Sequence, residues 1–187
     1  MLIQVNNTPN PDALKFIVPT RWLEFIWECS NLETAKKSNL AKQLWEIEGV
    51  VYLMFGSDFV LVTKKPDALW ELIQVEVVDK LSAFLEEDVS LFYDPNFEKT
   101  EKEKKTKKQK DFSQLEEKII KVLDEKVQPA LESHGGMVEF VSFENGVLTL
   151  DMQGACKGCP SSMYTLKNGI ENLMKYYFPE INELKSI

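Results

Sequence analysis

Short runs of hydrophobic residues rich in β-branched and aromatic side chains mark the strands in the first third of the chain. The runs are LIQV at 2–5, ALKFIV at 13–18, VVYLMF at 50–55 and FVLVTK at 59–64. The last two flank Gly56-Ser57-Asp58, which predicts a β-hairpin. WLEFIWE at 22–28 fits either a strand or a helix.

Helical spacing of apolar residues appears twice before residue 90. One helix is predicted over about 35–47, with Gly49 as its stop. A second follows Pro66, and one apolar stripe is predicted for it: Leu69, Leu72, Ile73, Val77, Leu81, Phe84 and Leu85. The order β-β-(β)-α-β-β-α predicts an α+β domain whose helices pack on a mostly antiparallel sheet.

A second α+β pattern begins near residue 112. Ser113 and Glu116 form a capping box, and Pro129 is expected to kink or end the helix that follows. The stripe of that helix is Leu115, Ile119, Val122, Leu123 and Val127. Gly135-Gly136 closes this segment.

The rest of the second pattern is a hairpin, a helix and a last strand. The strands 138–143 and 147–152 are joined through Glu144-Asn145-Gly146, and Asn-Gly is a strong hairpin signal. A helix is predicted from Pro160 to a stop at Pro179, and INELKSI supplies a short strand. The apolar positions of that helix are Met163, Leu166, Ile170, Leu173, Met174 and Tyr177. The order is α-β-β-α-β, again with a mostly antiparallel sheet.

A lysine-rich segment separates the two patterns. EKTEKEKKTKKQK at 98–110 contains no apolar residue, so it has nothing to bury and is predicted to be a tether. A basic arm that docks an acidic partner is the alternative. The predicted organisation is a first domain at 1–93, a linker at 94–111 and a second domain at 112–187.

Charge and hydropathy exclude several classes of protein. The 187 residues have a formal net charge of −8, and the basic excess is confined to 98–110, where seven lysines face three glutamates. Binders of nucleic acid or anionic membranes need a basic face, so neither is expected. No apolar run reaches the roughly 18 to 20 residues of a membrane-spanning helix.

The N-terminal residues and the cysteine count suggest a compartment. MLIQVNNTPNP resembles neither a signal peptide nor a presequence, so the protein is expected to stay where it is made. Three cysteines are too few and too odd in number for a disulfide framework. We therefore expect a reducing bacterial cytoplasm, or the mitochondrial matrix if a leader has been removed.

GACKGCPSS at 154–162 carries the candidate chemistry. Cys156 and Cys159 have the spacing of a metal chelate or a redox dithiol, and they lie between a predicted strand and a helix N-terminus. Such a position favours thiolate and is expected to lower the pKa of both cysteines. Gly154 and Gly158 would let the loop wrap closely around a bound group.

One chain supplies too few ligands for the usual sites. Tetrahedral zinc and iron–sulfur clusters take four thiolate or imidazole ligands, and beyond the pair this chain has only Cys29 and His134. A two-fold homodimer would supply four sulfurs, two from each loop. A cluster held in this way would be released when the subunits separate, as a carrier requires.

The motif and its surroundings resemble the NifU family. GACKGCPSS followed by TLKNGIENLM, with HGG ahead of it, is similar to the C-terminal domain of NifU-type scaffolds, whose hallmark is GxCxxCPSS. TPNPDALKF and LAKQLWEIEGVVYLMFGSDFVLVTK are similar to the N-terminal domain of Nfu proteins. The resemblance implies assembly or transfer of a [4Fe-4S] cluster, with [2Fe-2S] as the alternative, to apo-proteins. It implies ligands at Cys156 and Cys159, a cluster-bridged homodimer, and assembly machinery as further partners.

Two departures from the family pattern stand out. His134-Gly135-Gly136-Met137 replaces the common acidic DGGD, which leaves a local role for His134 open. Asn39 replaces a proline that is common before Leu-Ala, which is expected to affect only a helix start.

Rival interpretations remain open at several residues. A thioredoxin-like dithiol oxidoreductase and a structural zinc-bridged dimer are the alternatives for the cysteine pair. His134 is expected to end a helix, and Cys29 to be an ordinary partly buried thiol. The four tryptophans, all before residue 71, are expected mostly in the core. Any that are exposed could form a docking surface for partners. No catalytic constellation appears, since no base accompanies Ser161 or Ser162, and a carrier rather than an enzyme is expected.

Overall fold

The fold consists of two compact units, Met1–Gln109 and Lys110–Ile187. It is known from a computed structural model that describes residues 2–23, 26–86, 112–156 and 160–187, with the backbone alone for 160–165. The predicted linker at 94–111 lies outside the described residues, as does Cys159.

The first unit is a five-stranded sheet with helices. Its elements are β1 (Gln4–Asn7), β2 (Ala13–Ile17), β3 (Trp27–Cys29), α1 (Leu32–Ala35), α2 (Asn39–Trp45), β4 (Val50–Phe55), β5 (Phe59–Lys64) and α3 (Trp70–Glu86). The strand order is β1-β2-β5-β4-β3, and every neighbouring pair is antiparallel. The predicted α+β class and the hairpin around residues 56–58 are confirmed.

The helix predicted over about 35–47 is divided into α1 and α2. The side-chain oxygen of Ser38 accepts a hydrogen bond from the backbone N–H of Ala41 at 3.3 Å and caps the start of α2. A serine in this position favours a new helix start over continuation of the previous helix. Asn39 is the first residue of α2, so the exchange of proline for asparagine falls at a helix start.

The apolar stripe predicted for α3 is wrong at its N-terminal end. Leu69 and Leu72 are 62 % and 67 % exposed, whereas the residues facing the core are Ile73, Val77, Leu81, Phe84 and Leu85. Leu69 precedes the first helical residue, and Leu72 lies about 100° around the helix from Ile73. Helical spacing alone admits residues beside the buried stripe as well as within it.

A buried lysine joins the loop before β2 to the start of α3. The ammonium of Lys64, 7 % exposed, donates to Asp12 Oδ1 at 2.6 Å and to the carbonyls of Lys65 and Pro66 at 3.2 and 3.4 Å. Trp70 Nε1 donates to the carbonyl of Pro11 at 3.0 Å. These bonds fasten the residues 10–12 turn to the core.

The tryptophans of the first unit pack as predicted. Trp27 is buried, and the other three are partly buried against the same core: Trp22, Trp45 and Trp70. Trp22 Nε1 donates to the carbonyl of Gly56 at 2.8 Å, so its polar atom is satisfied. All four tryptophans therefore report on the packing of the first unit.

The second unit has a three-stranded sheet. Its elements are α4 (Gln114–Val122), a π-helical turn (Leu123–Val127), α5 (Gln128–Ser133), β6 (Gly136–Glu144), β7 (Val147–Gly154), α6 (Pro160–Tyr177) and β8 (Glu183–Ser186). β6 and β7 form the predicted hairpin, with positive φ angles of 52° and 79° at Asn145 and Gly146. β8 pairs with β7 in parallel, so α6 is the crossover between them.

The predicted capping box is confirmed, and Pro129 interrupts the regular α-helix without ending the helical segment. Ser113 and Glu116 cap α4 reciprocally. Because Pro129 has no N–H and its ring crowds the carbonyl four residues earlier, the regular ladder cannot pass through it. The hydrogen bonding changes to a π-helical turn at Leu123–Val127, and α-helical hydrogen bonding returns in α5.

Among the side chains that the structure describes, the core of the second unit follows the predicted stripes with one exception, and the predicted stripe residue Met163 lies outside those side chains. Ile119, Leu123 and Val127 are buried on one side, and Ile170 and Met174 on the other. Tyr177 is 43 % exposed and lies beside the buried stripe, whereas Met174 and Phe178 near it in the chain are in the core. No helix among the described residues is long and apolar enough to cross a membrane.

Candidate metal centre

Cys156 lies two residues after the end of β7, in the connection that leads to α6. Gly154, the last residue of β7, has a φ of +68°, a backbone conformation that L side chains rarely adopt. Ala155 then donates its N–H to the carbonyl of Gly135 at 3.0 Å. The turn that carries Cys156 is thereby fixed to the start of β6.

The start of β6 contacts the sulfur of Cys156. An ideal Cβ built on Gly136 would lie 2.3 Å from Cys156 Sγ, so the thiol occupies the place a side chain would take. The backbone N–H of Met137 hydrogen-bonds to the same sulfur and stabilises its thiolate form. Sequence reasoning did not identify Gly136 or Met137 as part of the site. The available signal was a glycine at a strand start, where another group can approach closely.

The predicted lowering of the Cys156 pKa is wrong. Burial raises the pKa of this thiol from its ordinary value of 9.0 to about 11, and the hydrogen bond from Met137 opposes the rise only in part. The side chain is 7 % exposed and packs in the apolar core of the second unit. Desolvation of the charged form outweighs its proximity to a helix N-terminus, and the thiol is protonated at neutral pH.

The other two candidate ligands are a helix cap and a core residue of the first unit. His134 is the C-cap of α5, as expected for a residue that ends a helix before Gly-Gly. Cys29 is in β3 and 0 % exposed, so it is fully rather than partly buried. Within the described ranges, no group of three or more His, Cys, Asp or Glu side chains could hold a metal ion.

Two glutamine side chains support the strands next to Cys156. Gln128 Oε1 accepts the N–H of Val138 at 3.2 Å, which satisfies a donor of the edge strand β6. Gln153, itself buried, donates to Asp151 Oδ2 at 2.9 Å and to Glu139 Oε2 at 3.3 Å. Its amide reduces the repulsion between these two carboxylates, which face each other across β6 and β7.

Alkaline pH is expected to destabilise the first unit through Cys29. Burial raises the pKa of Cys29 from 9.0 to about 12, so the folded state holds its proton more tightly than the unfolded state does. The contribution of this thiol to the free energy of unfolding is complete below pH 9 and is lost as pH rises toward 12. The limiting slope of that loss is about 1.4 kcal/mol per pH unit. Denaturant titrations at a series of pH values, followed by tryptophan fluorescence, measure this pH dependence of the free energy of unfolding.

The control for this pH dependence is Cys29→Ala. Lysine and tyrosine titrations are common to both chains, so the difference between their profiles isolates Cys29. Parallel profiles between pH 8 and 11 would contradict the burial effect.

Two family models match the chain in succession. Residues 3–88 match the model described as "Scaffold protein Nfu/NifU N terminal", and residues 119–185 match the model described as "NifU-like domain". The chain therefore belongs to the Nfu/NifU family, with an Nfu N-terminal domain followed by a NifU-like domain.

Curated relatives match nearly the whole length of this chain. A Drosophila erecta protein named "NFU1 iron-sulfur cluster scaffold homolog, mitochondrial" is 36 % identical over 191 residues, covering 100 % of this chain and 65 % of that protein. "NifU-like protein 4, mitochondrial" of Arabidopsis thaliana is 38 % identical over 184 residues, covering 97 % and 64 %. The chain thus spans just under two thirds of the relatives it matches.

Solved structures similar to single parts of the chain also exist. The solution structure of a NifU-like protein from Saccharomyces cerevisiae is 30 % identical and covers 46 % of this chain and 78 % of its own, with a TM-score of 0.40. A crystal structure of a Staphylococcus aureus protein is 23 % identical and covers 43 % and 99 %, with a TM-score of 0.39. These scores are too low for a comparison of site geometry.

Proposed function

We propose that this protein is an iron–sulfur cluster scaffold that holds its cluster between two copies of the chain and transfers it to apo-proteins. The observation that carries the proposal is the position of Cys156 after β7, where the backbone N–H of Met137 at the start of β6 hydrogen-bonds to its sulfur. Backbone N–H groups that face cysteine sulfur stabilise the thiolate that a metal needs. The identity of the cargo comes from the relatives, which are named iron–sulfur cluster scaffold homologues.

The ligands are Cys156 and Cys159 of each chain. Cys29 is not available, because its side chain is 0 % exposed in the core of the first unit. Two chains related by a two-fold axis provide four thiolates, which is the ligand set of a [4Fe-4S] cluster and also of a [2Fe-2S] cluster. The [4Fe-4S] form is our proposal.

Loading the cargo requires a proton to leave Cys156. Its pKa of about 11 means that the metal-free chain carries the thiol, and metal binding displaces the proton. Unloading returns the proton, and burial favours that protonated state.

The remaining parts of the chain serve delivery. The first unit would recognise apo-protein clients or the assembly machinery, and the lysine-rich segment 98–110 would let the second unit reach them. The protein carries its cargo without a turnover reaction of its own. The proposal needs a reducing compartment, bacterial cytoplasm or mitochondrial matrix, because the ligand thiols must stay reduced.

A thioredoxin-like oxidoreductase is less well supported. The described part of the second unit has a three-stranded sheet, fewer strands than a thioredoxin-like fold requires. A dithiol redox centre also needs a reactive thiolate, and burial around Cys156 works against one. A structural zinc dimer would use the same four sulfurs and is separated by experiment.

Anaerobic reconstitution with iron and sulfide tests the proposal. We expect a brown dimer with about four irons per pair of chains, measured by absorption, iron analysis and native mass. About two irons per pair would identify the [2Fe-2S] form. Transfer is then read as activation of an apo-protein that accepts a [4Fe-4S] cluster.

Three results would contradict this proposal. A colourless monomer that retains no iron would exclude the scaffold. A colourless dimer containing zinc would assign a structural metal site. Disulfide reduction by the metal-free monomer that is lost in Cys156→Ser would assign a dithiol oxidoreductase.

A further inference from the structure

We propose that Gly136 is a positioning residue for Cys156: its missing side chain forms a recess that holds the thiol in the metal-free chain. This inference rests on the proposed function, because it concerns the sulfur that would bind the cargo. We call Gly136 and the N–H of Met137 the thiol seat. Gly136 is twenty residues before Cys156 in the chain and outside the CxxC motif.

The geometry leaves room at position 136 for the sulfur or for a Cβ, and not for both. An ideal Cβ on Gly136 would be 2.3 Å from Cys156 Sγ, far inside van der Waals contact, while its distances to Leu131 O and Cys156 Cβ, 3.5 and 3.7 Å, are ordinary. The sulfur is therefore the one atom among these neighbours that an added methyl group would displace. Position 136 therefore requires glycine because the sulfur of Cys156 occupies the space that a Cβ would take.

The seat determines where the thiol lies. With the recess available, the side chain of Cys156 points into the apolar core and is 7 % exposed. A cysteine has one side-chain torsion with three staggered positions, so a sulfur expelled from the recess must rotate into another of them. The thiol seat thus provides a sheltered position to which the sulfur returns when cargo leaves.

A double-mutant cycle tests the contact without any cluster. Gly136→Ala is made in the wild-type chain and in Cys156→Ala, where the sulfur that would clash is absent. We expect Gly136→Ala to lower the folding equilibrium constant of the second unit at least about tenfold more in the presence of Cys156 than in its absence. Denaturant titrations followed by far-UV circular dichroism measure it, with the tryptophan signal separating the first unit.

Gly169→Ala is the matched control. Gly169 lies in α6, and a Cβ there would meet no atom within 4 Å. Its effect should be the same in both cysteine backgrounds. If Gly136→Ala also behaves identically in both, the cost of alanine lies in the strand itself and the thiol seat is wrong.

Alkylation of Cys156 is the second readout. Metal-free protein is treated with iodoacetamide at fixed pH, and the rate at Cys156 is followed by peptide mass. We expect Gly136→Ala to raise this rate at least about tenfold over wild type, whereas Gly169→Ala, which can only stabilise α6, should not raise it. An unchanged rate in a folded Gly136→Ala chain would overturn the proposal.

The wild type keeps the test decisive if Gly136→Ala does not fold. Native Cys156 should be alkylated at least about a hundredfold more slowly than in guanidinium chloride, and equal rates would exclude a sheltered thiol. If positions 136 and 156 are coupled but the protein binds no cluster, the thiol seat is supported and the scaffold function is refuted. If the protein binds a cluster but the two positions are not coupled, the scaffold function is supported and the thiol seat is refuted.

Discussion

Replacing Cys156 with serine is expected to abolish cluster binding and the cluster-dependent dimer. Each chain contributes two of four sulfurs, so one substitution removes two ligands from the symmetric site. We expect the iron content after reconstitution to fall from about four per pair of chains to background. Cys159→Ser should have the same effect, because each of the two cysteine positions supplies two of the four sulfurs in the dimer. Iron analysis and native mass measure both variants.

The control for these serine variants is Cys29→Ala. Cys29 is 0 % exposed in the first unit, where its thiol donates to the carbonyl of Asn31 at 3.6 Å. The substitution is expected to cost about 1 kcal/mol of stability through lost packing and to leave the iron content unchanged. Iron retained by Cys156→Ser, or lost from Cys29→Ala in a folded chain, would move the ligands away from the CxxC loop.

Replacing Lys64 with methionine is expected to destabilise the first unit by about 2–3 kcal/mol. Methionine keeps the length of the side chain and leaves Asp12 and the carbonyls of Lys65 and Pro66 without their buried donor. Asp12 is 30 % exposed, so water compensates part of the loss. Urea titration followed by tryptophan fluorescence reports on this unit alone, because all four tryptophans lie in it.

Lys36→Met is the matched control for Lys64→Met. Lys36 pairs with Glu33 at 2.8 Å, but both side chains are largely exposed, at 53 % and 83 %. Exposed ion pairs contribute little, so no measurable change in the urea midpoint is expected. Equal losses in the two variants would mean that the buried contacts of Lys64 do not hold the residues 10–12 turn.

Local signals in the sequence were sufficient for most of the fold. The Asn145-Gly146 turn, the capping box at Ser113 and the helix start at Pro160 each depend on residues within a few positions of one another. Such features are encoded in short stretches and are confirmed. The misassigned Leu69 and Leu72 show the limit of periodicity, which marks a face of a helix without showing how wide its packed part is.

The environment of Cys156 depends on contacts that are distant in sequence. The CxxC spacing identified the cysteine, and its place before a helix suggested a lowered pKa. The opposite shift arises because β6 brings Gly136 and the surrounding core against the sulfur. No pattern within the loop contains that information, since burial is set by the sheet and the helices packed on it.

The parallel pairing of β7 with β8 implies a particular order of local unfolding. The β6–β7 hairpin closes over two residues, whereas Val147 pairs with Glu183 only after α6 has crossed the sheet. Contacts between distant residues carry the larger loop-closure cost, so β8 and α6 are expected to detach before the hairpin opens. The cysteine loop joins these two parts. A brief detachment of α6 would expose Cys156 to solvent while β6 and β7 stay paired. Hydrogen exchange would record this detachment as early loss of protection in α6 and β8.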